Sequence, residues 1–236
     1  MPNSFPTEQA VATKPPLDQT KFVVAPSHNF ENDHFLNRTK VVDKDDKPKV
    51  VYHGTPEAGF TEIDPNKLNE KSLFGKGIYA TENPAIASEY SDKLGSGGAA
   101  VYPFYFSIKN PLRADVPLKR EDALILGDTF EKLWHPDRPF FLNTDTVTEG
   151  LLKYVEKKYM LEDILVLLNE VMKNNGHFFN CKDFNKLFRT AGYDGIFYIG
   201  GSRVARDDGT VTPPHNVWVA FNPDQVRSIY DKRFQK

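Results

Sequence analysis

The sequence predicts a domain of mixed α+β class, because β-prone segments are grouped towards both ends of the chain and helical patterns lie between them. The first β-prone group lies within residues 39–108 and the second within 194–230. A helix-rich stretch runs from about residue 117 to 190, and its longest apolar pattern, from 149 to 173, recurs at three-to-four spacing. We therefore expect a sheet with flanking helices and a helical insertion.

The strands are indicated by β-branched and aromatic runs that end at turn residues. Lys49–His53 is predicted to be the return strand of a hairpin whose first arm is Thr39–Asp43, with a turn at Lys44–Asp46. Because side chains alternate along a strand, Val51 and His53 should share one face. Further strands are predicted at residues 101–108, 194–199, 217–221 and 226–230.

Helix boundaries are indicated by capping residues. Asn83 and Pro84 are typical of a helix start, and this helix should run to Gly95. A break at 161–163 would divide the long helical segment into two helices. Further start signals are the capping box of Thr146 and Glu149 before the long segment, and Asn180 before a last helix that ends at Gly192.

The composition argues against several functional classes. The 236 residues carry 30 Lys and Arg against 32 Asp and Glu. The resulting formal charge of −2 argues against nucleic acid as a partner and against a polybasic membrane anchor. The single cysteine, Cys181, excludes a disulfide framework and multi-cysteine metal sites. The six histidines show no helical pairing, so we expect no metal.

The N-terminal segment differs from the rest of the chain. Residues 1–20 are polar, contain four prolines and lack periodicity. We expect them to form a flexible arm, followed by a single domain at 21–236 with the helical insertion at about 117–190. The segment has no apolar signal-peptide core, and no apolar run near 18 residues follows it. The protein should therefore be cytoplasmic as made and should not bind a membrane.

Two short segments could carry chemistry. His53 stands at a predicted strand end beside Gly54, a residue that lets a ligand approach the backbone, although a lone histidine there is more often structural. Gly75 and Gly77 precede Tyr79, which is either a core aromatic residue or a face for a flat ring. The glycine spacing matches neither a dinucleotide-binding fingerprint nor a Walker A loop.

The order of three motifs is more specific than any one of them. VYHGT, FGKGIYATENPAIASEY and a final strand ending in FNPDQVRS follow one another at residues 51–55, 74–90 and 221–228. This combination resembles the diphtheria-toxin/poly(ADP-ribose) polymerase type of ADP-ribosyltransferase. More narrowly, TKVVD and KPKVVYHGT on either side of a turn, with AGYDGI at residues 191–196, resemble the ADP-ribosyltransferase domains of phage polyvalent proteins and related bacterial effectors. The resemblance covers residues 35–112 and 190–234, and it implies split antiparallel β-sheets with flanking helices.

The resemblance also implies an NAD site. His53 would bind a ribose hydroxyl, and the backbone of Gly54 would meet the nicotinamide carboxamide. Tyr79 and Tyr90, eleven residues apart, would sandwich the nicotinamide ring. Thr55 takes the small hydroxyl position after Gly54. Gly75 and Gly77 complete the expected NAD-binding set, and no metal is needed.

Two residues depart from the pattern of the resembled family. Ala87 stands where a serine usually binds the carboxamide, and Val217 stands where a catalytic glutamate is usual. Valine supplies neither charge nor a hydrogen bond, and the loss of one such electrostatic contact costs on the order of 10²–10³ in rate. The chain offers three possible substitutes for the missing glutamate: His215, Asn216 and Asp194. His215 shares a face with Val217 in a regular strand. Further acidic candidates are Asp207, Asp208 and Asp224.

The expected activity is NAD-dependent mono-ADP-ribosyl transfer to a protein acceptor. Val217 also keeps open a non-catalytic module that binds NAD or ADP-ribose, and a third reading is an NAD glycohydrolase with water as the acceptor. The helical stretch at 117–190 is expected either to recognise the acceptor or to form a packed lid. The family resemblance further suggests a toxin-like effector that is delivered into a host cell.

Overall fold

The computed structural model describes residues 30, 33–56, 58–59, 62–70, 72–92, 99–134, 144–176, 181–201 and 211–231. Four predicted features lie outside these residues: the arm at 1–20, the helix end at Gly95, the cap at Asn180 and the acidic pair Asp207 and Asp208. Within the described part of the chain, seven strands form one sheet and five helices pack around it. The predicted α+β class is confirmed.

The sheet has the strand order β4-β5-β6-β2-β1-β3-β7. All neighbouring strands are antiparallel except β4 and β5, which are parallel. The seven strands have the bounds β1 Val50–Thr55, β2 Ile78–Thr81, β3 Ala100–Phe106, β4 Pro111–Arg113, β5 Gly195–Gly200, β6 His215–Ala220 and β7 Val226–Ser228.

The sheet is weakly joined at its centre. Strands β1 and β2 share a single register pair, Tyr52 with Thr81, whereas β1 and β3 share six pairs. Two well-paired halves, β4-β5-β6-β2 and β1-β3-β7, therefore meet along a narrow seam. We call the gap between β1 and β2 the seam, and it corresponds to the split that the family resemblance implies.

The first arm of the predicted N-terminal hairpin is shorter than expected. It pairs only next to the turn, through the bridge of Val42 with Pro48 and the backbone bonds from Asp43 N to Lys47 O and from Lys49 N to Val41 O. Asp43 Oδ1 accepts bonds from two turn amides, as the turn prediction requires. Both edges of β1 already face β2 and β3, so no edge is left for a third strand. Thr39 instead donates its hydroxyl to the Phe106 carbonyl at 2.7 Å, which holds this segment at the last residue of β3.

The helices have the bounds α1 Pro84–Asp92, α2 Arg120–Trp134, α3 Val147–Glu156, α4 Leu161–Asn174 and α5 Cys181–Thr190. Asn83 Oδ1 accepts from the Ala85 amide at 2.9 Å, and Thr146 Oγ1 accepts from the Glu149 amide at 3.1 Å, so both predicted N-caps are confirmed. The break in the long helical segment lies before Leu161, not within 161–163. It includes Lys158, whose φ of 59° is left-handed, and a cap in which Asp163 accepts from the Met160 amide.

The helical stretch and the sheet share one apolar core. Fully buried side chains of α2–α5, such as Leu126, Leu151, Leu168 and Phe188, pack with Ile196 of β5 and Val219 of β6. A second cluster, which includes Val51, Phe104 and Trp218, lies on the other face of the sheet. Helices α2–α5 therefore form a layer on the β4-β5-β6 half of the sheet. No helix among the described residues is both long and apolar enough to cross a membrane.

Candidate active site at the β1–β2 seam

His53 bridges the seam with its side chain. Its Nδ1 lies 2.7 Å from the carbonyl oxygen of Tyr79 on β2. A carbonyl oxygen can only accept, so Nδ1 carries the proton. Burial lowers the pKa of His53 and outweighs the opposite effect of this hydrogen bond. The ring is therefore neutral at pH 7, and the lone pair of Nε2 is a hydrogen-bond acceptor.

Tyr79 is held by its own hydroxyl group. The hydroxyl donates to the Gly75 carbonyl at 2.8 Å and accepts from the Phe74 amide at 3.1 Å. Gly75 has a φ of 82°, which glycine adopts without strain and which turns the chain back towards the ring. A Cβ on Gly77 would lie 2.6 Å from a Val219 methyl, so this glycine lets the start of β2 approach β6. The two predicted glycines thus fix where Tyr79 stands.

Gly54 lies directly under helix α1. A Cβ at this position would lie 1.8 Å from the carbonyl oxygen of Ala87, a separation at which no side chain fits. Ala87 itself is 1% exposed, so α1 rests on the backbone of β1 at this point. Thr55 follows as the last residue of β1, where it pairs with Ala100 of β3. The motif residues 53–55 are therefore placed between α1, β3 and the seam.

Four residues of interest share one face of the sheet. Tyr79 pairs with Val219 and Thr81 pairs with Val217, so alternation also places His215 of β6 on the Tyr79 face. Gly54, whose missing side chain would point at α1, lies on this face as well. Val217 is 4% exposed and offers no polar atom there. The position that a catalytic glutamate would occupy is therefore apolar, and the nearest polar side chain along β6 on this face is His215.

His215 is buried between β5 and α1. Its Nδ1 lies 2.7 Å from the Pro213 carbonyl, and its ring stands edge-on to the ring of Tyr90 with centroids 6.0 Å apart. The residue is 8% exposed, and Nε2 has no hydrogen-bond partner among the described residues. A Cβ on Gly200 would lie 2.7 Å from this nitrogen, so the imidazole occupies space that glycine leaves open.

The other two substitutes lie elsewhere. Asn216 is on the opposite face of β6, where its side chain donates to Glu82. Asp194 accepts from the amides of Lys109 and Asn110 at 2.7 and 2.8 Å, beside the end of β6 that is distant from His215. The structure therefore brings His215, and neither of the other two, to the Tyr79 face.

Glu82 is a polar residue that the sequence analysis missed. It follows β2 directly, forms an ion pair with Lys49, and accepts from Trp218 Nε1 at 3.2 Å. Burial by itself raises the pKa of Glu82, but hydrogen bonds from Lys49, Trp218 and Asn216 outweigh burial and leave the pKa below its usual range. Glu82 remains ionised at pH 7 and ties the start of β1 to β6 across β2. Its position in the second motif, next to Asn83, was the only signal in the sequence.

The site can offer a specific set of chemical groups. It presents the neutral acceptor of His53, the ring of Tyr79 fixed by its hydroxyl, and the backbone at Gly54. The Tyr79 face adds the buried acceptor of His215. No group of three or more potential metal ligands occurs among the described residues. The set suits a ligand with a flat ring and hydroxyl groups, which is the chemistry of a nucleoside.

The neutral state of His53 can be tested by NMR. We expect the Cε1 proton of His53 to titrate with a midpoint below 6.5, because burial disfavours the imidazolium in the folded protein. Loss of the signal in His53→Ala assigns it. A midpoint at or above 6.5 would contradict the buried, neutral imidazole.

One of three comparisons with known proteins identifies the family of the chain. No curated protein and no solved structure matches the chain. The family model described as "ADP-Ribosyltransferase in polyvalent proteins" matches residues 43–236, which include β1, the seam and every strand and helix of the fold. The chain therefore belongs to the polyvalent-protein family of ADP-ribosyltransferases.

Proposed function

We propose that this protein transfers a single ADP-ribose unit from NAD to a protein acceptor. Family membership supports ADP-ribosyl transfer, and the seam carries the narrower proposal. The main observation is the 2.7 Å hydrogen bond between His53 and the Tyr79 carbonyl. It fixes the acceptor nitrogen of the first motif beside the backbone of Tyr79, whereas strand alternation puts the Tyr79 ring on the other face of the sheet. A ligand that lies in the seam and joins a ribose to a flat ring would reach the nitrogen on one face and the ring on the other.

The proposed reaction breaks the bond between C1′ of the ribose and the nicotinamide nitrogen. Nicotinamide leaves with the bonding electron pair, and the ribose becomes cationic as that bond lengthens. A nucleophile of the acceptor then forms the new bond to C1′ and loses its proton to a base. The enzyme mainly positions the two reactants, and position alone can supply much of the acceleration.

Val217 supports a single transfer over elongation to a polymer. The buried valine gives no charge to stabilise the cationic ribose, so the rate should be modest. The same residue favours a second candidate function, a module that binds NAD or ADP-ribose without turnover. A nucleophile that brings its own base would make the absent carboxylate tolerable, and water as the nucleophile would make the protein an NAD glycohydrolase.

The acceptor site is proposed to include a basic pocket next to the second motif. A cavity of about 380 Å³ is lined by residues that are mostly cationic: Lys76, Asn185, Lys186, Arg189 and Thr190. Asn185 Nδ2 donates to the carbonyl of Lys76, which connects α5 to the loop that leads to Tyr79. Lys76 has an acidic neighbour, Glu70, at 3.6 Å, whereas Lys186 lies over the Trp134 ring. The pocket thus fits an acidic group of an acceptor protein.

The biological setting is proposed from the family alone. Polyvalent-protein relatives suggest an effector that acts after delivery into a host cell, made first in the cytoplasm of its producer. This part of the proposal adds no residue to the site.

Labelled NAD tests the reaction. Incubated with a cell lysate, the wild-type protein should move label from NAD to a protein band. Free ADP-ribose would instead support the glycohydrolase, and unchanged NAD would support the binding module.

His53→Ala and Tyr79→Ala should each abolish turnover, whereas Tyr79→Phe, which keeps the ring, should retain more activity than Tyr79→Ala. Val166→Ala, at a residue 63% exposed on α4, is the control. Full activity in His53→Ala or Tyr79→Ala would refute the site.

Charge reversal tests the acceptor pocket. The double variant Lys186→Glu/Arg189→Glu should lose most labelling of the protein band, because an acidic acceptor would be repelled. Its NAD consumption in the absence of acceptor should stay near wild type. The matched control is Lys173→Glu, at an exposed residue on α4. Equal loss of protein labelling and NAD consumption would contradict a role in acceptor binding.

A further inference from the structure

We propose that Nε2 of His215 accepts a hydrogen bond from a hydroxyl of the ribose that carries nicotinamide. This inference rests on the proposed function and extends it to a residue on β6. It assigns a ligand contact to the face on which Val217 provides none.

The tautomer of His215 follows from its one hydrogen bond. Nδ1 lies 2.7 Å from the Pro213 carbonyl, so Nδ1 is the donor. In the neutral ring Nε2 is then an acceptor. This nitrogen is buried and has no donor among the described residues. Native proteins leave few buried polar atoms unpaired, and each case calls for an explanation.

The surroundings of Nε2 explain why no neighbouring side chain in the described part of the chain supplies the donor. Gly200, directly beside it on β5, has no side chain, and a Cβ there would collide with the imidazole at 2.7 Å. Val217, two residues along β6 on the same face, is apolar. The hydrogen bond to Pro213 satisfies Nδ1, but it does not satisfy Nε2. The donor is therefore assigned to a ligand.

The chemistry of the site indicates which donor fits. An imidazole acceptor nitrogen flanked by valine and glycine suits an uncharged donor, and a sugar hydroxyl is such a group. His215 lies on the same face as Tyr79, and its ring contacts that of Tyr90. These are the two tyrosines proposed to hold nicotinamide. The hydroxyls nearest to that ring in NAD belong to the ribose bonded to it.

The consequence is a positioned ribose without a negative charge beside it. A carboxylate at position 217 would both bind the hydroxyl and stabilise the cationic ribose. His215 can do only the first, since an imidazole nitrogen that accepts a hydrogen bond carries no negative charge. The enzyme would thus retain geometric control over the ribose while losing electrostatic stabilisation.

Two substitutions separate this role from a structural one. In His215→Asn the amide nitrogen can replace Nδ1 and keep the bond to Pro213, but no acceptor reaches the position of Nε2. In His215→Gln the side-chain oxygen can replace Nε2, while the bond to Pro213 is lost. We expect kcat/KM for NAD to fall about tenfold in His215→Asn, the value of one neutral hydrogen bond, and to remain within about threefold of wild type in His215→Gln. A purely structural role predicts the opposite order and would overturn the proposal.

NAD analogues that lack one hydroxyl of the nicotinamide ribose give a second readout. The wild-type protein should discriminate against either the 2′-deoxy or the 3′-deoxy analogue, and His215→Asn should lose that discrimination. Equal discrimination in both proteins would overturn the proposal.

Thermal melting checks that each variant is folded, and calorimetric Kd values replace kcat/KM if NAD is bound without turnover. A wild-type protein that neither binds nor consumes NAD would refute the proposed function itself, whereas normal NAD binding in all three proteins would refute only the role of His215.

Discussion

The hydrogen bond from His53 Nδ1 to the carbonyl of Tyr79 is the interaction on which the candidate site depends. Strands β1 and β2 share only one register pair, so the side chain of His53 spans a gap that the backbone ladder leaves open. The bond fixes the tautomer, and burial keeps the ring neutral. A positively charged His53 could not present an acceptor at Nε2. The geometry of the seam thus determines both the position and the chemical role of the first motif.

Close packing against the seam limits how the neighbouring elements can move. Gly54 allows α1 to rest on β1 through Ala87, and Gly77 allows β2 to approach Val219. The hydroxyl of Tyr79 is bonded to two backbone groups of its own loop. Helices α2–α5 share a core with the sheet that includes Val219 and packs against Tyr79. The site is therefore built on packed elements, with Ala87 and Val217 as its two apolar departures from the pattern of the resembled family.

Local signals in the sequence predict the parts of this site that depend on neighbours along the chain. The order of VYHGT and GKGIY, the cap at Asn83 and the alternation along β6 are read directly from adjacent residues. The first hairpin arm at Thr39–Asp43 is shorter than predicted for a different reason, because its length depends on whether β3 competes for the edge of β1. Glu82 was missed because its role also depends on contacts that are distant in the sequence. Its partners Lys49 and Trp218 are 33 and 136 residues away.

The central claim is that NAD binds at the seam with its nicotinamide beside Tyr79 and Tyr90. A crystal structure with an NAD analogue whose bond between ribose and nicotinamide cannot be cleaved tests this most directly. The account predicts the nicotinamide ring against Tyr79, with ribose hydroxyls within hydrogen-bond distance of the Nε2 atoms of His53 and His215. An analogue bound away from the seam, or one whose ribose contacts neither histidine, would contradict it.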